Sequence, residues 1–343
     1  MSRSITIRKA LLATCVAGLG SIASLAYAQD KNANSVTDPA MLIESMSLAL
    51  RTLNYEGTFV HAQGTNLTGM HILHASDNNG EYERLTSLDG EAREVIRNNT
   101  LVTCIWPGSQ SVVVSQSKPR DLIPRVDASL VTNQRYEFSY GQPDRVAGRD
   151  THVINVVPSD QYRYGYRFWI DVDNYMLLRS MLLESPMMPV EQVIFTQIEF
   201  LDQVDLSRFD VLGSTDRRDV VSWLEPKATK AVSTLEARKS EQANRVGFTV
   251  LPDGYSKVSE TYSAMPLSEG PFSHVMLSDG MASVSVYVEY MAAPDQSESS
   301  LGLSRMGAMN AFAINIGKAL VTAVGEVPEA TVKAVAAAVV LRE

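Results

Sequence analysis

The chain has 343 residues, with 30 Lys+Arg against 39 Asp+Glu, a formal charge of −9, and two cysteines. An acidic balance argues against nucleic acid as a partner and against broad attraction to anionic lipid heads. So few cysteines exclude a disulfide framework, and the fold must rest on its hydrophobic core.

The first 28 residues read as a secretory signal. Arg3, Arg8 and Lys9 precede an apolar run from Ala10 to Leu25, which ends in Ala26-Tyr27-Ala28. The run is short for a membrane span, and the Leu12-Ala13-Thr14 approach to Cys15 is poor for a lipid-modified start. Removing residues 1–28 takes away three cations and Cys15. The remainder carries 27 basic and 39 acidic side chains, a formal charge of −12, and one thiol, Cys104. An unpaired cysteine inside Leu101–Trp106 is expected to be a buried strand residue. The length left suggests two domains.

Asp38-Pro39 supplies an N-cap and a first-turn proline, and Leu42, Met46, Leu50 and Leu53 recur at helical spacing, so 39–53 is predicted as an amphipathic helix. Alternating strands then follow at 55–61, 68–75, 81–88, 93–97, 100–106 and 112–114. Turn signals such as Asp77-Asn78-Asn79-Gly80 and Asp89-Gly90 separate them. Residues 118–130, with Pro119 and Pro124, suggest a short helix. Strands resume at 136–139, 150–157, 162–171, 175–184 and 192–200. Strands in series, without alternating helices, predict a large meandering antiparallel sheet with helix 39–53 as its lid.

The pattern changes over 216–245, a charged stretch read as a linker. Beyond it, hairpins are predicted around Pro252-Asp253-Gly254, Ser278-Asp279-Gly280 and Gly317-Lys318. A last helix follows Pro328 and places Val332, Val335, Ala336 and Val339 on one face. The expected organisation is a leader (1–28), a large domain (29–215), a linker (216–245) and a small α+β domain (246–343).

No nucleophile elbow, phosphate loop or dinucleotide fingerprint is present. Ser115-Gln116-Ser117-Lys118 fits Ser-x-x-Lys, but Pro119 denies its ends a shared helical turn. His71 and His74, three apart in a strand, point to opposite faces and make a poor metal pair. Asp171 and Asp173 flank a turn and are read as turn residues. No catalytic residue, metal site or cofactor is expected. Methionine is the unusual element: Met176 and Met181 on one hairpin arm, and Met187 and Met188 at its tip, where flexible thioethers suit an adaptable partner surface.

The segments Leu53–Phe59, Glu83-Arg84-Leu85, Leu88-Asp89-Gly90, Arg93-Glu94-Val95, Trp169-Ile170-Asp171, Leu251–Tyr255, Ser278-Asp279-Gly280 and Gly325–Pro328 resemble, in order, those of the RseB/MucB family of periplasmic regulators of the envelope-stress sigma factor. The resemblance implies a mainly β fold. Its large domain would be a curved antiparallel half-barrel covered by helices over an apolar cavity, similar to the lipoprotein carriers LolA and LolB, beside a small α+β domain. It also implies a periplasmic negative regulator that binds the periplasmic segment of a membrane anti-sigma factor (RseA- or MucA-like) and shields it from the site-1 protease. A lipid or lipopolysaccharide-like ligand would release the partner. Homo-oligomerisation is left open, and a lipid or lipoprotein carrier is the competing reading. On that fold, alternation nominates Tyr55, Phe59, Phe168, Ile170, Met176 and Met181 as cavity-lining residues, with Met187 and Met188 for the partner. Met176 and Met181 are an odd number apart, so both can face inward only across a bulge.

Overall fold

The computed structural model describes residues 38–108, 111–116, 135–184, 188–210, 220–222, 246–264, 271–290 and 301–341. The expected signal segment, the helix within 118–130, the stretch 223–245 and Met187 lie outside these residues. Thr37–Glu343 forms one compact unit.

Helix α1 (Pro39–Thr52) begins as its sequence dictates. The Asp38 carboxylate accepts the Ala40 amide at 3.0 Å, and Pro39 occupies the first turn, where no N–H is needed. Its buried face is Leu42, Ile43 and Met46, packed with Ile154, Phe168, Ile170, Leu177 and Leu182 of the large sheet. Each fully buried side chain of this size contributes about 1.5–3 kcal/mol.

The large sheet is built from β1 (Tyr55–Gln63), β2 (Asn66–Asp77), β3 (Gly80–Ser87), β4 (Glu94–Asn98), β5 (Leu101–Trp106), β6 (Ser111–Gln116), β7 (Tyr136–Tyr140), β8 (Asp144–Val146), β9 (Arg149–Pro158), β10 (Gly165–Asp171), β11 (Leu177–Glu184), β12 (Met188–Phe200) and β13 (Val220–Ser222). Their order is β13-β6-β5-β4-β3-β2-β1-β12-β11-β10-β9-β7, with β8 also on β9, and the two ends do not meet. All pairs are antiparallel except β13 on β6, which is parallel. Part of the segment expected as linker is therefore an edge strand of this sheet. Val220 and Val221 gain backbone partners by pairing with Val112 and Val113.

One face of β2–β6 is closed by a 3-10 turn (Leu206–Phe209), whose Phe209 packs on Leu73, Ala75, Ile96, Ile105 and Val112. Arg208 pins this turn with two hydrogen bonds to Glu56, at 2.7 and 2.9 Å. Period-two alternation therefore sends Ile72, Val95 and Cys104 to the opposite face.

The second sheet has the order β15 (Ser256–Ala264), β16 (Pro271–Ser278), β17 (Ser283–Tyr290), β20 (Ala319–Gly325), β19 (Met309–Ile316), β18 (Gly302–Met306). Helix α2 (Glu329–Ala338) packs Val332, Val335 and Ala336 against Val284, Val286, Val321 and Ala323. The hairpins at Ser278–Gly280 and Gly317-Lys318 form as expected. The one at Pro252–Gly254 does not. β14 (Val246–Phe248) pairs instead with β21 (Val339–Leu341), while β15 pairs with β16. Gly254, at φ +86°, turns the chain out of the β14 direction, and Pro252 has no N–H for a ladder. The same pairing ends α2 early: Val339 is extended (ψ 132°) because a β-branched pair opposite Phe248 gains a strand.

Candidate functional site

The face of β2–β6 away from the 3-10 turn carries two parallel rows. The first is wholly apolar: Ile72, Leu85, Val95, Cys104 and Val113 stand opposite one another on five consecutive strands. Ile72 and Leu85 are buried, whereas Val95, Cys104 and Val113 are half-buried. The expectation of a buried Cys104 is thus corrected, because its side chain lies on the less covered end of the row. Two residues further along each strand runs Tyr55–His74–Glu83–Arg97–Val102. Here Tyr55 stacks on His74 with ring centroids 4.9 Å apart, and His74 Nδ1 lies 2.7 Å from the Leu53 carbonyl oxygen. Burial, then the charges of Glu83 and Glu81, hold the Tyr55 hydroxyl well above its ordinary pKa.

A second feature is the seam between the sheets. Arg163 precedes β10 and is fully buried. It donates to Asp279 in the β16–β17 turn, to Asp160, and to the Asp253 carbonyl oxygen, and its guanidinium lies over the rings of Tyr255 and Tyr136. Burial opposes its charge, but Asp279 and Asp160 outweigh this and raise its pKa. Asp279 in turn accepts the Tyr136 hydroxyl at 3.0 Å and the Met281 and Ala282 amides. Tyr164 donates to the Ala308 carbonyl oxygen and accepts from Asn310. Met281 and Ala308 complete the same core cluster as α1. The two sheets thus share one buried interface.

Further along the seam, Arg305 on β18 donates to Glu184 on β11 at 2.9 Å. Gly307 sits so close to Gln63 that a Cβ would fall on its side chain. His61 Nε2 lies 2.9 Å from Glu191 Oε1, while Gln63 donates to Oε2 at 3.3 Å. The Glu191 hydrogen bond, against burial and with help from Glu326, raises the His61 pKa above its ordinary value. Two exposed apolar side chains stand beside these contacts, Met188 (63%), paired with Glu184 on β11, and Met306 (71%), next to Arg305 and Gly307, whereas Leu67 (68%), paired with Ala62, lies on the other face of the sheet.

The expected cavity residues divide into two groups. Phe168 and Ile170 lie under α1. Tyr55, Phe59, Met176 and the partly buried Met181 join an adjoining cluster with Ile72 and Leu85. The bulge at Leu178, where Trp169 pairs with Arg179 but Ile170 with Leu177, puts Met176 and Met181 on the same face of the sheet, that of Trp169 and opposite Phe168. His71 pairs with Glu56 on one face and His74 is buried on the other. The Asp171 carboxylate accepts turn amides from Asp173 and Asn174 and pairs with Arg149, so it caps a hairpin. Among the described residues, no group of three His, Cys, Asp or Glu could hold a metal ion. Sequence reasoning missed Arg163 and the β18 residues; nothing in local spacing marks a side chain whose partner lies over a hundred residues away.

Comparison with known proteins follows the same division. The MucB/RseB N-terminal domain matches residues 38–212, and the MucB/RseB C-terminal domain matches 240–340. The sigma-E factor regulatory protein RseB of Haemophilus influenzae is 28% identical over 316 residues, 91% of this chain and 92% of that protein. The sigma factor AlgU regulatory protein MucB of Pseudomonas aeruginosa is 28% identical, covering 89% and 91%. The P. aeruginosa MucA/MucB complex superposes with a TM-score of 0.67 at 23% identity, over 89% of this chain and 99% of that one. MucB in complex with MucA(peri) gives 0.66 at 23% identity, over 89% and 100%.

Proposed function

The chain belongs to the MucB/RseB family, and on that premise we propose that it is a periplasmic regulator that binds the periplasmic segment of a membrane anti-sigma factor. By occupying that segment it keeps the site-1 protease from its first cut, so the sigma factor stays sequestered. The observation that carries this reading is that both family domains match in order and that relatives named as sigma-factor regulators align over nine-tenths of the chain. The task requires a surface rather than reacting groups. Met188 and Met306 offer one: apolar, adaptable, and mounted on a seam held rigid by buried polar contacts. Met188 and Met306 come from different sheets, so a segment lying across them contacts both, and both family domains contribute to affinity.

Release by an acyl lipid would draw on the half-buried end of the apolar row on β2–β6, Val95, Cys104 and Val113, where side chains are not fully covered. A lipid that releases the partner must bind the complex more weakly than the free protein, by the same factor.

The test is protection. The cognate anti-sigma periplasmic segment, incubated with the site-1 protease, should survive in the presence of equimolar protein and be cut in its absence. Cleavage at the same rate in both would rule out shielding.

A further inference from the structure

Trp169 lies on the face of the large sheet opposite α1, and the Arg179 guanidinium is spread over its ring, 4.1 Å from the centroid. Arg179 Nη2 donates to Gln192 Oε1 at 2.8 Å, while its Nε is buried without an acceptor. Arg167 stands diagonally across on β10, and its Nε donates to Asn155 Oδ1 at 2.6 Å. Both half-buried guanidiniums are thus held by neutral amide oxygens. Arg84, Arg149, Arg163, Arg208 and Arg305 instead meet carboxylates. Diagonal neighbours in a sheet are roughly 7–8 Å apart, within reach of long side chains, and like charges placed together are destabilising. The strain is visible at Arg179: burial, only partly offset by Asp144, and the charge of Arg167 lower its pKa. We propose that Arg167 and Arg179 form a binding site for a compact oxyanion carrying two charges, either a phosphate ion or a phosphate monoester.

The side chains select the ligand. A guanidinium stacked on a ring and tied by an amide has little freedom left to lose on binding, and the neutral tie leaves its charge whole. Both Nη atoms of Arg167 and Nη1 of Arg179 make no hydrogen bond to a described residue, and guanidinium forks match phosphate oxygens. One dianion cancels both charges and the repulsion between them, whereas a monoanion cancels only one. Asp144 is the opposing group. It accepts the Trp169 Nε1–H at 2.9 Å, and its charge acts on Arg179. Neutralising Asp144 should therefore tighten anion binding. This site does not depend on the anti-sigma reading, which uses Met188 and Met306 at the seam.

The experiment titrates the full chain by calorimetry, at fixed ionic strength, with inorganic phosphate, glycerol 3-phosphate and acetate. It compares the wild type with Arg167→Gln, Arg179→Gln and Asp144→Asn. The wild type should bind phosphate at one site about tenfold more tightly than acetate, and each arginine variant should lose about tenfold in phosphate affinity. Asp144→Asn, whose amide oxygen can still accept from Trp169, should gain about threefold. A purely structural role for the three residues would leave phosphate affinity unmoved in every variant. Inorganic phosphate bound with the ester rejected would assign the site to the free ion; both bound alike would assign it to a phosphoryl group carried on a larger molecule. No saturable phosphate binding by the wild type, or equal affinity for acetate, would overturn the site. So would undiminished phosphate affinity in either folded arginine variant. If one arginine variant fails to fold, the other and Asp144→Asn decide: unchanged phosphate affinity in both overturns the site.

Discussion

Arg163, just before β10 of the large sheet, and Asp279, in the β16–β17 turn of the second, meet as an ion pair with both side chains wholly buried. Such a pair is satisfied only if the two sheets are docked, since Asp160, Tyr136 and the Met281 and Ala282 amides complete its hydrogen bonds. The seam is therefore a single conformational choice. Removing one partner strands a charge: Asp279→Ala should lower stability by about 3–5 kcal/mol. Replacing both, as Arg163→Met with Asp279→Leu, should cost much less. Denaturant unfolding checks this, and the single variant should also split a shared transition into two.

His61 makes stability depend on pH. Its folded pKa is raised by Glu191, so its contribution is fully present below the unfolded value of 6.5 and is lost as pH rises through the higher folded value. Glu191 is lowered by the same contact, so its share is present above 4.5 and lost as pH falls through its depressed value. The pair is strongest between the two. Chemical denaturation of wild type and His61→Gln should diverge across that window and converge at alkaline pH. Parallel curves at every pH would contradict the assignment.

The exposed methionines should matter to binding and little to folding. Met188→Gln and Met306→Gln should each shift stability by less than about 0.5 kcal/mol. Together they should weaken binding of the anti-sigma segment by about 1–2 kcal/mol per side chain, as at apolar interface centres. Denaturant unfolding and calorimetric titration of the two variants and their combination measure both quantities.

The helix cap is the simplest check on the fold. Asp38→Ala removes the bond to the Ala40 amide and should destabilise by about 1 kcal/mol, whereas Asp38→Ser should be nearly neutral.

The structure separates what local sequence carries from what it does not. Helix α1 was legible because Asp38, Pro39 and the Leu42–Met46 spacing are local signals. The strands of the large sheet were legible because alternation and turn residues recur, and the hairpins at Ser278–Gly280 and Gly317-Lys318 have short loops that fix their partners. The pairing of β14 with β21 was not, since it joins residues some ninety positions apart through a choice Pro252–Gly254 cannot make alone. The sites divide likewise. Met188 stood out by residue type, but Met306 lies on a strand that alternation did not reveal. Arg163 became visible only through burial, which depends on the assembled sheets.

Recognition of an anti-sigma periplasmic segment through both sheets can be measured by calorimetric titration of the cognate segment into wild type and into the Met188→Gln, Met306→Gln double variant. The wild type should bind saturably and one-to-one, and the double variant should lose at least tenfold in affinity with unchanged unfolding. No binding by the wild type would contradict the function; undiminished binding by the folded double variant would contradict the surface.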